Sequence, residues 1–172
     1  MVQKLRVPIG FLIAAAVLYF ATPTMVSILI GLPVALFGAA FRALAAGVIK
    51  KDATLATSGI YALTRNPLYF GSSLLAAGFA IMSANGAAAA LLLIPFAVIY
   101  PAVIRREEAH LEALFPDDFR LYKARVPVFV PRLTLRFPTS FAFSQYLANR
   151  EYNTAFGFAA ALAVFAVKCS IC

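Results

Sequence analysis

Apolar residues along the chain fall into five long blocks separated by short polar breaks. The first covers about residues 5–22, follows Lys4 and Arg6, and ends at the turn Thr22-Pro23-Thr24. The second, about 25–49, contains Arg42 and stops at Lys50, Lys51 and Asp52. The third, 68–84, closes on Asn85-Gly86, a tight-turn signal. The fourth, 87–104, carries Pro95 and Pro101, which predict kinks. A membrane span takes about 20 mostly apolar residues, so these four read as spanning helices. The fifth block, 153–170, is most apolar over 155–167 and has Lys168 near its end; it reads as a fifth span or as a surface-lying or core helix. The first block also has the flavour of a signal peptide. However, a second apolar run follows at once, with no cleavage site leading into a polar domain, so it reads as a retained helix. The expected fold is an all-α membrane protein, a bundle of four or five transmembrane helices. Residues 1–132 form its membrane domain, with the polar part at 105–132, and residues 133–172 form an extension.

The only sizeable polar region is 105–150, broken by Pro127, Pro131 and Pro138. A helix is expected there only near 103–124, where Leu111, Leu114 and Phe115 share one face. Composition sharpens the class. Apolar residues make up 63% and charged residues 13% of the 172, and mean hydropathy is +0.88. An average soluble domain has about 25% charged residues. A soluble enzyme, a disordered tail and a disulfide-stapled secreted module are therefore poor readings. The net charge of +8 reads as cytoplasmic loops facing anionic lipid headgroups, not as a nucleic-acid surface. Basic residues flank the start, the 50–66 loop and the 105–150 segment, while the turns at Pro23 and Asn85-Gly86 have none. The positive-inside rule puts the N-terminus and the polar segment in the cytoplasm of a multi-pass membrane protein.

Few residues carry distinctive chemistry. His110 is the single histidine, sits in a charged run and reads as a solvated helix residue. Cys169 and Cys172 form C-x-x-C and formally fit a prenylation box, but read as small apolar residues at the end of the sequence. No His, Cys and carboxylate set has metal-ligand spacing, and no glycine loop matches a dinucleotide or P-loop pattern. Glu107 and Glu108 follow the fourth apolar block directly, after Arg105 and Arg106. They read as a solvated helix start with local ion pairs, or as acceptors for a cationic or amino-bearing ligand. Arg42 lies about two turns inside an apolar helix, where a charge is costly unless it snorkels or is paired. A buried partner and an anionic ligand group both fit. The densest local pattern is 58–69. There Gly59 permits a left-handed turn, Pro67 suits the first turn of a helix, and Tyr61 and Tyr69 sit at interface depth. An aromatic belt with a helix cap gives the same pattern.

Within residues 57–71, Ser58-Gly59-Ile60-Tyr61, then Arg65-Asn66-Pro67-Leu68-Tyr69, then Gly71, resembles the membrane motif of isoprenylcysteine carboxyl methyltransferases and their phospholipid-methyltransferase relatives. A second block resembles the same family's C-terminal cofactor segment: Glu107-Glu108, Leu111, Leu114-Phe115-Pro116-Asp117-Asp118-Phe119, and Tyr122 through Pro127 to Pro131. The resemblance covers about residues 25–132. It implies a helical bundle capped by a cytoplasmic segment that encloses S-adenosylmethionine, with S-adenosylhomocysteine as product. The methyl acceptor would be a lipid or a prenylated small molecule or protein entering from the bilayer.

Carried onto this chain, the resemblance implies cofactor contacts at Ala53, Thr54, Leu55 and Ala56. It implies others at Tyr61, at Asn66, Pro67, Leu68 and Tyr69, and at Glu107 and Glu108. Tyr122 belongs with them, Arg125 would pair with a glutamate or the cofactor carboxylate, and Pro127 and Pro131 would shape the cover. Two departures stand out. Many relatives have histidine where this chain has Asn66, and asparagine cannot act as an acid or base. The prenylcysteine enzymes commonly place an arginine, as substrate contact, where this chain has Val103. Arg42, Arg105 and Arg106 are the candidates to replace it. The reaction expected first is isoprenylcysteine-like carboxyl methylation. The alternatives are headgroup N-methylation of a phospholipid, an NADPH-dependent membrane reductase, or a non-catalytic scaffold.

Overall fold

The computed structural model describes residues 2–50, 53–132 and 141–171, and among these the chain is helical with no strand. Lys51, Asp52, Pro138 and Cys172, and the side chains of Lys4 and Arg6, lie outside the described residues. The helices are α1 (Val2–Phe20), α2 (Met25–Ala46), α3 (Pro67–Met82), α4 (Gly86–Leu114), α5 (Pro116–Arg125), α6 (Phe143–Ala148) and α7 (Tyr152–Ile171). A 3-10 turn covers Gly59–Ala62.

Local chemistry sets the boundaries. Thr24 and Ser27 form a reciprocal cap at the start of α2: the Ser27 N–H donates to Thr24 Oγ1 at 3.1 Å, and the Thr24 N–H donates to Ser27 Oγ at 2.9 Å. Pro67 occupies the first turn of α3, where its missing N–H costs nothing. Asn85 caps α4 by accepting from the N–H groups of Ala87 and Ala88. The turn between α3 and α4 differs from the Asn85-Gly86 turn expected. Ala84 takes the positive φ of 46°, and Gly86 is already helical. Pro95 and Pro101 lie inside α4 without ending it. The first part of the helix expected at 103–124 continues α4, which runs through residue 104 to Leu114, because Arg, Glu, Ala and Leu are strong helix formers. The stop comes at Phe115, whose φ of −134° and ψ of 63° lie outside the helical region, before Pro116, which opens α5.

By length and composition α2, α4 and α7 can cross a membrane. α3 is apolar but has 16 residues, about 24 Å of helix against a hydrocarbon core of roughly 30 Å. α1 has 19 residues. Large apolar side chains face outward along the long helices, among them Phe37, Ile94, Val98 and Phe156. That surface suits lipid rather than water.

α2 and α3 pack backbone to backbone. Gly31, Ala35 and Gly38 on α2 meet Gly78 and Gly71 on α3. A Cβ on Gly38 would come within 2.6 Å of the Gly71 carbonyl, and one on Gly71 within 2.7 Å of the Gly38 carbonyl. Small residues allow this approach where lipid supplies no hydrophobic drive for helices to associate. One apolar cluster, with Val17, Ala35, Met82 and Phe165, joins α1, α2, α3 and α7. A second, Phe41, Ala45, Ile60, Tyr61 and Leu63, fixes the 3-10 turn against the end of α2.

The two ends of the bundle are distinct. At one end the Thr22 N–H donates to the Ser83 carbonyl at 2.9 Å. There too, Lys168 Nζ on α7 donates to the carbonyls of Leu18 and Ala21, both at 2.6 Å, capping the end of α1. The other end gathers residues 53–66, the tail of α4, α5 and residues 126–132. The fold predicts that Gly38→Leu will wedge α2 from α3 and lower stability by about 1–3 kcal/mol or more. Gly157→Ala, at a position with nothing within 4 Å, should keep or raise the melting temperature in detergent.

Candidate functional site

Residues 63–66 are held by the chain that leaves α5. The Arg65 N–H donates to the Pro127 carbonyl at 2.9 Å, and the Arg132 N–H donates to the Leu63 carbonyl at 2.8 Å. Buried Thr64 donates from its hydroxyl to the Phe129 carbonyl at 2.9 Å, and the Asn66 side-chain amide donates to the Val128 carbonyl at 2.9 Å. Residues 126–132 thus form a strap that fixes the loop entering α3. Pro127 and Pro131 belong to this strap and do not line the cavity it braces.

That cavity, about 310 Å³, lies between the 49–69 segment, the tail of α4 and α5. Thr54, Leu55, Ala56 and Tyr61 line one part of it, and Asn66, Pro67, Leu68 and Tyr69 another. Glu107, Glu108 and Tyr122 complete it. The two sequence blocks therefore meet around one space. Ala53 and Arg125 line a neighbouring cavity of about 640 Å³, which shares Thr54, Leu55 and Tyr122 with the first. Arg105 lines a third space, an apolar groove of about 590 Å³ along α4. Phe96, Tyr100, Ile104 and Phe129 form its walls, and Glu108 borders both the groove and the first cavity. Arg106 is exposed and lines none of the three.

Two glutamates have different partners. Glu107 accepts from the Tyr69 hydroxyl at 2.8 Å, a neutral donor that does not cancel its charge. Glu108 accepts from Arg65 Nε at 2.7 Å. The same guanidinium donates to the carbonyls of Lys123 and Val126 at 2.9 and 2.8 Å. Arg65, not Arg125, is therefore the partner of Glu108, and Arg125 is exposed on α5. The Tyr122 hydroxyl donates to the Tyr61 carbonyl at 2.7 Å, tying α5 to the 3-10 turn. Burial, reinforced by the Glu107 carboxylate, pushes the Tyr61 phenol above its ordinary range. Burial does the same to Tyr122, with Arg65 acting against it. Both hydroxyls remain protonated at neutral pH.

Arg42 has a protein partner. Its Nε and one terminal nitrogen donate to the two oxygens of Glu151 at 2.8 and 2.9 Å, a two-point fork. Its other terminal nitrogen donates to the Ser72 hydroxyl and, at 3.5 Å, to the Leu68 carbonyl. Of the two readings open for Arg42, the buried partner is the one observed, and its fork is turned from the cavity to α7.

Sequence reasoning left Lys50, Arg65, His110 and Phe119 out of the site, and all four line the cavity. His110 and Leu111 fall three and four residues after Glu107, one helix face, and that spacing was the available signal for them. His110 is exposed, as expected, and also forms part of the wall. Gly59 has a φ of 59°, the left-handed conformation its type permits.

A family model described as phospholipid methyltransferase matches residues 10–118, more than half of the chain. The cobalt-zinc-cadmium resistance protein CzcN of Cupriavidus metallidurans is 45% identical over 86 residues, 50% of this chain and 39% of that protein. The nickel-cobalt-cadmium resistance protein NccN of Alcaligenes xylosoxydans xylosoxydans is 41% identical over 86 residues, 50% of this chain and 40% of that protein. The protein-S-isoprenylcysteine O-methyltransferase of Schizosaccharomyces pombe is 32% identical over 94 residues, 55% of this chain and 40% of that protein. The match thus spans about 40% of the length of each of these relatives. No solved structure matches the chain. Replacing Arg65 by Met should leave Glu108 and two carbonyls without their donor and cost about 3 kcal/mol in detergent unfolding. Arg65→Lys should recover little, since an ammonium cannot span the three acceptors as a fork does.

Proposed function

We propose that this chain, which belongs to the phospholipid methyltransferase family, binds S-adenosylmethionine in the 310 Å³ cavity and methylates an amphiphile seated in the adjoining groove. The observation that carries this reading is the shared wall: Glu108 borders both the polar cavity and the apolar groove. A water-soluble donor and a lipid acceptor have to meet at such a boundary.

The cavity fits the donor. Its volume is at the low end of the roughly 300–1,000 Å³ typical of small-molecule sites. Leu55, Leu68 and Phe119 offer apolar walls for an aromatic base, and the carboxylates of Glu107 and Glu108 can accept from amino or hydroxyl groups. The Glu107 carboxylate lines this space with a neutral hydroxyl as its donor, an arrangement that suits a cationic ligand. When bound, S-adenosylmethionine supplies a methyl group already activated on a sulfonium. What remains for the protein is alignment of the acceptor with that methyl and exclusion of water. The strap at 126–132 and the Tyr122–Tyr61 bond hold the cavity walls in place for that task.

Arg105 is the one of the three candidate arginines on the groove, and it suits an acidic headgroup. This favours carboxyl methylation, as in isoprenylcysteine enzymes, over N-methylation of a phospholipid amine. The site then faces the cytoplasm, in accord with the basic residues around it. The experiment is transfer of labelled methyl from S-adenosylmethionine to a farnesylcysteine analogue and to phosphatidylethanolamine, side by side. Saturating S-adenosylhomocysteine should raise the melting temperature, corresponding to about 2.7 kcal/mol at a hundredfold excess over Kd. Glu107→Gln should lose most of that gain. Stabilisation by NADPH instead would transfer the reading to a reductase. For orientation, Asp118→Cys in a background lacking the native cysteines should resist an impermeant thiol reagent added to intact cells.

A further inference from the structure

Residues 141–151 take no part in the cavity lining, and they lie beyond residues 10–118 that carry the family match. They nevertheless hold two parts of the cavity's frame. The first is the exit of α2. The last carbonyls of a helix have no partner within it and need one from outside. Here the Asn149 side-chain amide donates to the carbonyls of Ala46 and Ile49, at 2.8 and 3.0 Å. The Ala142 N–H donates to the Gly47 carbonyl at 2.9 Å. The Phe141 ring covers Gly47 so closely that any side chain there would collide with it. The next residues along the chain, Ile49 and Lys50, are cavity wall.

The second part is the first turn of α3. Glu151, 7% exposed, receives the fork of Arg42. On its far side Arg42 reaches the Ser72 hydroxyl and the Leu68 carbonyl. Ser72 Oγ also donates to the Leu68 carbonyl, at 2.8 Å. Leu68 is cavity wall as well. One short segment therefore grips two stretches of chain that border the cavity, the exit of α2 and the first turn of α3.

We propose that residues 141–151 are a positioning clamp: Asn149 orders the exit of α2, Glu151 orders the first turn of α3 through Arg42, and together they set the cavity's affinity for its ligand. The affinity part rests on the donor-site reading above, whereas the ordering part does not. Asn149 and Glu151 are positioning residues; neither touches the cavity. A segment that merely adds stability would lower the melting temperature without changing local order at the cavity more than elsewhere. Lys168 provides the contrast, because it braces α1 at the opposite end of α7.

The test uses the full chain in detergent as wild type, Asn149→Asp, Glu151→Gln and Lys168→Met. Two quantities are read beside melting: hydrogen exchange at residues 48–50 and 54–56 without ligand, and the Kd for S-adenosylhomocysteine by calorimetry. Asn149→Asp keeps the shape but turns a donor into an acceptor facing two carbonyls. It should speed exchange at those amides roughly tenfold and weaken the ligand about tenfold. Glu151→Gln should act in the same direction. Lys168→Met should lower the melting temperature and leave both quantities as in wild type. The proposal is overturned if the clamp variants match wild type in exchange, or if Lys168→Met shifts exchange and Kd as much as they do. If Glu151→Gln does not fold, Asn149→Asp and the milder Asn149→Ser decide. If wild type shows no affinity for S-adenosylhomocysteine, the donor reading fails, and exchange alone decides the clamp.

Discussion

The close contact of the α2 and α3 backbones is the constraint on which the pocket end depends. Gly38 lies against Gly71, one turn from Arg42 on α2 and one turn from Leu68 on α3. Only because these helices touch at their backbones can a single guanidinium on α2 reach a carbonyl on α3 and the Glu151 carboxylate just before α7. The same contact brings the exit of α2 beside the entry of α3, so that the loop between them must fold back over the bundle as a wall. Apolar burial is modest along the long helices, whose outward faces suit hydrocarbon. Stability there depends on packing at small residues and on satisfied polar groups instead.

The family features were legible because they are local. Gly59 shows the left-handed turn and Pro67 the helix start that their covalent structures favour. Glu107 and Glu108 were found because their block and the 57–71 block resemble one family. What the sequence did not show is set by distance along the chain. Arg65 and Glu108 are 43 residues apart, and Arg42 and Glu151 are 109 apart, so no periodicity relates them. Arg65 was hidden among other basic residues, any of which could balance a glutamate. The strap at 126–132 was hidden for another reason. Its hydrogen bonds are made mostly by backbone groups, which every residue has. The helix expected at 103–124 is present but divided at Phe115, because the proline that follows disfavours helical backbone in the residue before it.

The division of space at the pocket end follows from α4 as one continuous rod. Its Ile104 and Arg105 belong to the apolar groove, and its Glu107, His110 and Leu111 belong to the polar cavity. Two environments are thus read by successive faces of one helix within a few residues. Tyr69 joins them, with its ring edge-to-face on Tyr100 at 4.9 Å between centroids and its hydroxyl on Glu107. A shift of α4 would alter both spaces together, which makes the helix the natural coupling element between whatever occupies them.

The lysine that closes the far end of the bundle bears on the order of assembly. Lys168 meets carbonyls of Leu18 and Ala21, 150 and 147 positions earlier. A ribosome delivers α1 and its neighbours to the bilayer long before α7 exists, and hairpins of adjacent helices can pair as they emerge. Until α7 arrives, the final carbonyls of α1 must be served by interfacial water. Among the side-chain hydrogen bonds of the described residues their capture by an ammonium spans the largest chain separation, 150 positions, and so has a large chain closure to overcome. α1 is therefore sealed by α7, and this contact forms only once synthesis has passed residue 168.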